Sequence, residues 1–264
     1  MSSPRELGFP TRSIDVLGVR VDDVTMSEAL AICRACLGSG QSHRIVTPNA
    51  EFVMAARHDP KFRQVLNDST LAIPDGAGLL LAGRILGTPL REQVTGTDLA
   101  DGLAGLAARE GGRVFLLGAA PGVAAAAATQ LAVRHPGLIV AGTYAGSSEP
   151  EADDETRRVL GAAGQIDLIL VAYGARKQED WIVRNQAVLG IPLAIGVGGA
   201  LDFFAGQVPR APAWLRRSGF DWLFRLAVQP WRWRRQLALP RFVATVAIEA
   251  TRRRLFSWPR EVKG

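Results

Sequence analysis

The sequence predicts an α/β fold in which helices cover both faces of a mostly parallel sheet, followed by a helical C-terminal appendage. Short apolar runs alternate with helical stretches up to about Gly206. Strands in which polar and apolar residues do not alternate are typical of parallel sheets buried on both faces. Beyond Gly206 the alternation stops, and a basic segment rich in tryptophan begins. We therefore expect residues 1–206 to form the α/β core and residues 207–264 to form a membrane-associating appendage.

Strands and helices are expected in alternation along the core, which is the order of a Rossmann-like sheet. The predicted strands are Arg44–Thr47, Leu71–Ile73, Arg113–Leu117, Leu138–Ala141, Asp167–Ala172 and Leu193–Val197. The predicted helices between them are Ala77–Leu86, Leu99–Arg109, Val123–Arg134 and Gln178–Leu189.

Polar motifs follow five of these strands. They are Thr47-Pro48-Asn49, Pro74-Asp75-Gly76, Gly118–Gly122, Tyr173–Glu179 and Gly196–Gly199. Ligands of open parallel sheets bind beyond the carboxyl ends of the strands. The sequence therefore predicts one polar crevice at that edge of the sheet.

Asp75 is the best candidate for a catalytic base, because an ionised carboxylate at a strand end can accept a proton from a hydroxyl group. An ordinary Asp-Gly turn is the alternative. Thr47 and Asn49 could hold a sugar or a phosphate, or could cap a loop. Gln178 opens a helix and suits a ligand-binding amide, while Glu179 could simply complement the helix dipole.

The segment Gly118–Gly122 is a glycine-rich turn that runs into a helix. The free N–H groups of such a helix could hold a diphosphate, and a tight turn between strand and helix is an equal alternative. The segment does not match G-x-G-x-x-G, so it is weak support for a nicotinamide cofactor.

The cysteines Cys33 and Cys36 form a C-x-x-C pair, which could be a redox pair or half of a zinc site. The chain has no second Cys pair, and its three histidines are scattered. Both cysteines fall on a helix that Ser27 could cap, so we expect them to pack that helix in a reducing cytoplasm. No metal and no cofactor are expected.

The charge of the chain is concentrated in its last sixty residues. Ala205–Gly264 holds thirteen Lys/Arg, three acidic residues and five of the six tryptophans, which leaves eighteen basic and twenty-two acidic residues before it. Cations interleaved with indole rings suit an anionic membrane surface. Nucleic acid is a further reading of a basic segment, and the tryptophans favour lipid.

An apolar stripe marks the last predicted helix, after Pro240. Its members are Phe242, Val243, Val246, Ala247 and Ala250. An amphipathic helix on the membrane surface fits this pattern, and a helix docked on the core is the alternative.

Eight motifs, in order, resemble the WecG/TagA/CpsF glycosyltransferases. They are TPNAEF, PDGAGLLLAGRILG, VTGTDL, VFLLGAAPGV, KQEDWI, GVGGALDFFAG, RAP-W and DWLFRL–QPWRWRR, which together span roughly Ile14 to Gln236. The resemblance implies an inverting transferase of cell-surface polysaccharide synthesis. Its donor would be a UDP-linked hexose or N-acetylhexosamine, of the N-acetylmannosamine type or glucose. Its acceptor would be a sugar on undecaprenyl diphosphate, at the inner face of the cytoplasmic membrane.

The resemblance also assigns roles to residues. It makes Asp75 the general base and implies that no catalytic metal is bound. Members of this family usually have arginine where this chain has Gln93, and Arg91 could replace it. The family's usual Pro-Lys-Gln-Glu begins here with Arg176. The substrate-binding residues that the resemblance implies are Thr47, Asn49, Arg91, Gln178, Arg225, Arg232 and Arg235.

A second function stays open at this point. The chain could be a non-catalytic or oxidoreductase-type dinucleotide-binding protein whose basic tail binds a partner or nucleic acid. The incomplete glycine motif counts against it. The oligomeric state is open too, with a homo-oligomer as one possibility.

Overall fold

A parallel sheet forms the centre of the computed structural model, which describes residues 4, 6–9, 11–212, 214–215, 221–228, 230 and 238–256. The strands within these residues are β1 (Ser13–Val16), β2 (Val19–Asp22), β3 (His43–Val46), β4 (Leu71–Ala72), β5 (Arg113–Gly118), β6 (Ile139–Tyr144), β7 (Leu168–Ala172) and β8 (Leu193–Gly196). The main sheet has the order β4-β3-β8-β7-β5-β6, and all of its neighbours are parallel.

Helices pack on both faces of this sheet. The helices within the described residues are α1 (Met26–Gly38), α2 (Ala50–His58), α3 (Pro60–Asn67), α4 (Ala77–Ile85), α5 (Gly96–Glu110), α6 (Val123–Arg134), α7 (Asp153–Ala162), α8 (Lys177–Leu189), α9 (Ala200–Phe204), α10 (Asp221–Val228) and α11 (Ala238–Phe256). The six predicted strands and four predicted helices are confirmed, with boundaries within three residues.

The core lies on both sides of the sheet because successive strand residues point to opposite faces. Leu116 and Leu170 pack on one face, in a cluster that includes residues of α1, α5 and α6. Phe115 and Val171 pack on the other face, with Trp181 of α8. Apolar side chains on both faces explain why these strands read as unbroken apolar runs.

The hairpin formed by β1 and β2 is an element that the sequence analysis missed. Its strands pair antiparallel through a Leu17-Gly18 turn, in which φ is positive at both residues, 56° and 89°. Asn-Gly or Asp-Gly is the usual signal for such a turn, and leucine is a poor one. Three valines of the hairpin, Val16, Val19 and Val21, are fully buried in the core beneath it.

Thr25, and not Ser27, caps α1. The Thr25 hydroxyl accepts the N–H of Glu28, and the Glu28 carboxylate accepts the N–H of Thr25, which is a capping box. The prediction of Ser27 as the cap was wrong by two residues, because the reciprocal Glu28 partner favours Thr25. Cys33 and Cys36 are buried free thiols on this helix, as expected, and burial raises the pKa of Cys36 to about 12.

The C-terminal helix α11 docks on the α/β core. Phe242, Val246 and Ala250 are buried, in contact with α2 and α4. The prediction that this stripe lies on a membrane was therefore wrong, and the docked alternative is the one observed. A docked helix and a membrane-surface helix need the same apolar periodicity, so the pattern alone could not separate them. Within the described residues, every helix is too short or too polar to cross a bilayer.

Candidate active site

The loops after β3 and β4 run side by side at the carboxyl edge of the sheet. The parallel pairing of the two strands continues past their ends, since the N–H of Ile73 donates to the carbonyl of Val46 at 3.0 Å. The N–H of Asp75 then donates to the carbonyl of Pro48, also at 3.0 Å. Thr47 is buried beside this junction. The two polar motifs that the sequence analysis singled out are thus brought together.

A third segment, Val94-Thr95-Gly96, closes on the same junction. The N–H of Val94 donates to the carbonyl of Pro74 at 3.0 Å. A β-carbon on Gly96 would lie 3.0 Å from Cγ2 of Thr47, so only glycine leaves this side chain undisturbed. The V-T-G motif therefore serves to bring the start of α5 against Thr47 and the Asp75 loop.

The structural alternative that the sequence left open is observed for Asn49 and not for Asp75. Oδ1 of Asn49 accepts the N–H of Phe52 at 3.0 Å and caps α2. Gly76 has φ of 92° and ψ of 146°, which is an extended entry to α4 and not an Asp-Gly turn. The catalytic role of Asp75 and the substrate-binding role of Asn49 stay predictions.

Gln178 acts as a brace between α8 and the loop after β8. Its side chain is 2% exposed, and its Oε1 accepts the N–H of Gly198 at 2.9 Å. Its Nε2 donates to Oε1 of Glu179 at 3.0 Å. A β-carbon on Gly196 would lie 2.4 Å from both of those side chains. Because β8 pairs with β3, the brace fixes the wall of the crevice next to Thr47.

Glu179 is a buried carboxylate whose importance the sequence analysis missed. It is fully buried, and its Oε2 has no hydrogen-bond partner among the described residues. Burial raises its pKa from 4.5 to about 7. Its place in the first turn of a helix is typical of a solvated dipole partner, so the pattern gave no sign of its burial.

Arg91 lies three residues before Val94 and is held by two carboxylates. Its guanidinium is 2.6 Å from Glu28 and 3.3 Å from Asp23. The hydrogen bond from Arg91 lowers the pKa of Glu28. None of these described contacts joins Arg91 to Thr47 or Asp75, so its role in donor binding stays a prediction.

Helix N-termini converge on the carboxyl edge of the sheet. Helices α4, α6 and α8 each begin five residues after the end of a strand, and none has a side-chain cap. Their positive dipole ends favour an anionic ligand. At α8 the N–H groups of Lys177 and Gln178 already donate to the carbonyls of Ala175 and Gly174. Side-chain caps satisfy α1, α2, α3 and α5 instead, from Thr25, Asn49, Asp59 and Thr95.

The turn before α6 fits its interpretation as a tight turn between strand and helix. A β-carbon on Gly118 would lie 2.7 Å from the backbone of Ala172, and Ala119 has φ of 63°. The glycine is therefore required for close packing of β5 against β7. Residues 120–122 of the turn are exposed, whereas Val123 and Ala124 at the start of α6 are buried.

The predicted arginines of the appendage fall largely outside the described part of the chain. Arg225 lies on α10, but its side chain is not described, and Arg232 and Arg235 are outside the described residues. Arg210, in the R-A-P motif, is described and pairs with Asp98 of α5 at 2.6 Å. Sequence reasoning missed this pair, although both residues lie in motifs that it had singled out.

Within the described residues, no three His, Cys, Asp or Glu side chains are grouped so that they could hold a metal ion.

Comparison with known proteins decides the family. The model of the Glycosyl transferase WecG/TagA/CpsF family matches residues 14–255. The chain belongs to this family. Two similar proteins are the N-acetylglucosaminyldiphosphoundecaprenol N-acetyl-beta-D-mannosaminyltransferases of Bacillus subtilis strain 168 and Staphylococcus aureus strain NCTC 8325. The first is 31% identical over 80% of this chain and 82% of its own length. The second is 30% identical over 90% of this chain and 93% of its own length.

The resemblance drawn from the eight motifs is thereby confirmed, and the match extends into α11. Membership of a glycosyl transferase family favours sugar transfer over the dinucleotide-binding alternative.

Proposed function

We propose that this chain transfers an N-acetylmannosamine-type sugar from a UDP-sugar to a sugar carried on undecaprenyl diphosphate, with inversion at the anomeric carbon. The observation that carries the proposal is the junction at which β3, β4 and α5 bring Thr47, Asp75 and Gly96 together. The names of the similar proteins supply the donor sugar and the acceptor. We expect the product to be an intermediate in the synthesis of a cell-surface polysaccharide.

Asp75 is the proposed general base. As the acceptor hydroxyl oxygen forms a bond to the anomeric carbon, its proton passes to the Asp75 carboxylate. The bond from the anomeric carbon to the diphosphate oxygen breaks, and its electron pair leaves with UDP. Attack from the face opposite the leaving group inverts the configuration.

The leaving UDP develops negative charge, which the uncapped starts of α6 and α8 are suited to stabilise. Arginines of the appendage would add permanent cations. Leu239 at the start of α11 lies against Gly78, only three residues after Asp75. Arg235 precedes Leu239 by four residues, a span of at most about 14 Å. We propose that Arg235, together with Arg232 and Arg225, contacts the donor diphosphate. We propose that these cations replace a catalytic metal.

The remaining predicted residues take supporting roles in this proposal. Thr47 and Asn49 contact the sugars through their polar groups. Gln178 contributes by bracing the loop after β8. Arg91 anchors the segment that leads to Val94 through its backbone N–H, which donates to Asp23 at 2.8 Å. Gln93, where arginine is usual, lies within that anchored segment.

Association with an anionic membrane surface is also proposed, with the enzyme on the cytoplasmic side. The support comes from the basic charge of the appendage and from apolar side chains that the structure leaves exposed. Trp214 is 69% exposed and Leu223 is 50% exposed. Phe242, Val246 and Ala250 of the α11 stripe are not part of this surface, because the core buries them.

A ligand panel tests the proposal against the dinucleotide-binding alternative. Thermal unfolding of the full chain is measured with UDP, UDP-N-acetylmannosamine, UDP-glucose and NAD(H). A ligand at 100 times its Kd stabilises the folded state by about 2.7 kcal/mol. We expect UDP and a UDP-sugar to raise Tm and NAD(H) to leave it unchanged. Stabilisation by NAD(H) alone would favour the alternative.

A further inference from the structure

A second polar cavity lies at the opposite edge of the sheet from the candidate active site. Its volume is about 610 Å³, and it is lined by Arg20 of β2, Arg44 of β3, Lys61 of α3 and Asp68. Arg44 precedes Thr47 by three residues, which is about 10 Å along an extended strand. This amino-edge pocket is therefore separate from the crevice that holds Asp75.

Arg44 is the unusual member of the amino-edge pocket. Its side chain is 6% exposed, and its Nη2 donates to the carbonyl of Val65 at 2.9 Å. Its Nε has no hydrogen-bond partner among the described residues. Burial lowers the pKa of Arg44, and the charges of Asp68 and Glu179 offset this only in part. A buried guanidinium with an unused donor is costly unless an anion compensates it.

The other cations of the pocket are only partly neutralised. Arg20 donates to the carbonyl of Ser69 at 2.6 Å and lies 3.5 Å from Asp22, yet its Nε also lacks a hydrogen bond among the described residues. Lys61 is exposed and makes no ion pair within the described part of the chain. Arg20 is therefore paired with Asp22, and Asp68 is the one carboxylate among the described residues of the lining, beside Arg44 and Lys61.

We propose that the amino-edge pocket binds a phosphate-bearing ligand. Two guanidinium groups and an ammonium offer charged donors to a phosphate monoester or a diphosphate, and arginine recognises phosphate in a bidentate geometry. The volume leaves room for a substituent on the phosphate. The source is either a phospholipid headgroup or a soluble phosphorylated compound. This site does not depend on the proposed transferase activity.

Binding of inorganic diphosphate to the full chain tests the proposal. Titration calorimetry is run at constant ionic strength and without UDP, because UDP carries a diphosphate and would compete for the pocket. We expect Lys61→Gln to weaken binding about tenfold and Arg44→Met to weaken it further, because each removes a charged donor. Arg109→Met removes an exposed arginine at the end of α5 and should bind as wild type does. Equal diphosphate affinity in wild type, Arg44→Met and Lys61→Gln would overturn the proposal.

Lys61→Gln decides the matter even if Arg44→Met fails to fold, since Lys61 is exposed. Flotation with phosphatidylglycerol and phosphatidylcholine vesicles then separates the two sources. Weaker flotation of Lys61→Gln than of Arg109→Met on phosphatidylglycerol supports a headgroup in the pocket. Unchanged flotation with weakened diphosphate binding supports a soluble compound in the same pocket. If Lys61→Gln changes neither measurement, the pocket is not a phosphate site.

Discussion

The pKa of Glu179 is controlled by burial and not by a neighbouring charge. Its pKa in the folded chain is about 7, against an ordinary value of 4.5, because the protein removes the carboxylate from water. A folded-state pKa above the unfolded one means that the folded state binds more protons between these values. Stability therefore falls as pH rises from about 4.5 to about 7.

Glu179→Gln should remove this pH dependence, because glutamine keeps the size of the side chain and cannot ionise. We predict that the free energy of unfolding of the variant, relative to that of wild type, rises by on the order of 3 kcal/mol from pH 5 to pH 8. Urea unfolding of both proteins at pH 5 and at pH 8 measures this change. Glu151→Gln, at an exposed position before α7, is the control and should show no such gain. If the unfolding free energies of Glu179→Gln and wild type differ by the same amount at pH 5 and at pH 8, the raised pKa of Glu179 is contradicted.

At the scale of elements, the close contact between α5 and the end of β3 depends on the absence of a side chain at Gly96. Gly96→Ala would place a β-carbon 3.0 Å from Cγ2 of Thr47 and force that side chain to move. We predict a decrease in kcat/KM of about tenfold, since small misplacements at a site are costly to catalysis. Steady-state kinetics on the variant measures the effect.

Gly161→Ala is the matched control for that substitution. Gly161 is also helical, and a β-carbon there would meet no atom within 4 Å. Its activity should equal that of wild type. If Gly96→Ala and Gly161→Ala are equally active, the position of Thr47 is not critical for the reaction.

Elements were predictable from the sequence where one physical cause dominates. Five strands of the main sheet are almost wholly buried, so their apolar runs are unambiguous, while the edge strand β6 is only partly buried. The polar motifs after β3 and β4 do meet at the carboxyl edge of the sheet. The Leu17-Gly18 hairpin lacked the usual turn signal. The burial of Glu179 and the docking of α11 could not be predicted, because both depend on residues that are distant in the sequence and close in the fold.

For the molecule as a whole, the two parts of the appendage differ. The later part, α11, packs on the core through Phe242 and its buried neighbours. The part before α11 carries Trp214, which is largely exposed, together with seven of the thirteen basic residues. The proposed membrane surface therefore lies between the α/β body and α11 in the chain, and not at its terminus.

Vesicle flotation tests this location. We predict that the chain floats with anionic vesicles, that Trp214→Ala weakens flotation several-fold, and that high salt weakens it further. Ile248→Ala, at an exposed position on α11, should leave flotation unchanged. Normal flotation of Trp214→Ala together with loss in Ile248→Ala would place the membrane surface on α11 instead.

Asp75 stands at the centre of the proposed mechanism, and one transfer assay tests it most directly. The purified chain is incubated with radiolabelled UDP-N-acetylmannosamine and an N-acetylglucosaminyl-diphosphate lipid, beside the variant Asp75→Asn. We predict a lipid-linked disaccharide from wild type and a rate at least about 10²-fold lower from Asp75→Asn, with UDP binding intact. Near-normal turnover by Asp75→Asn, or no transfer by wild type, would contradict the account.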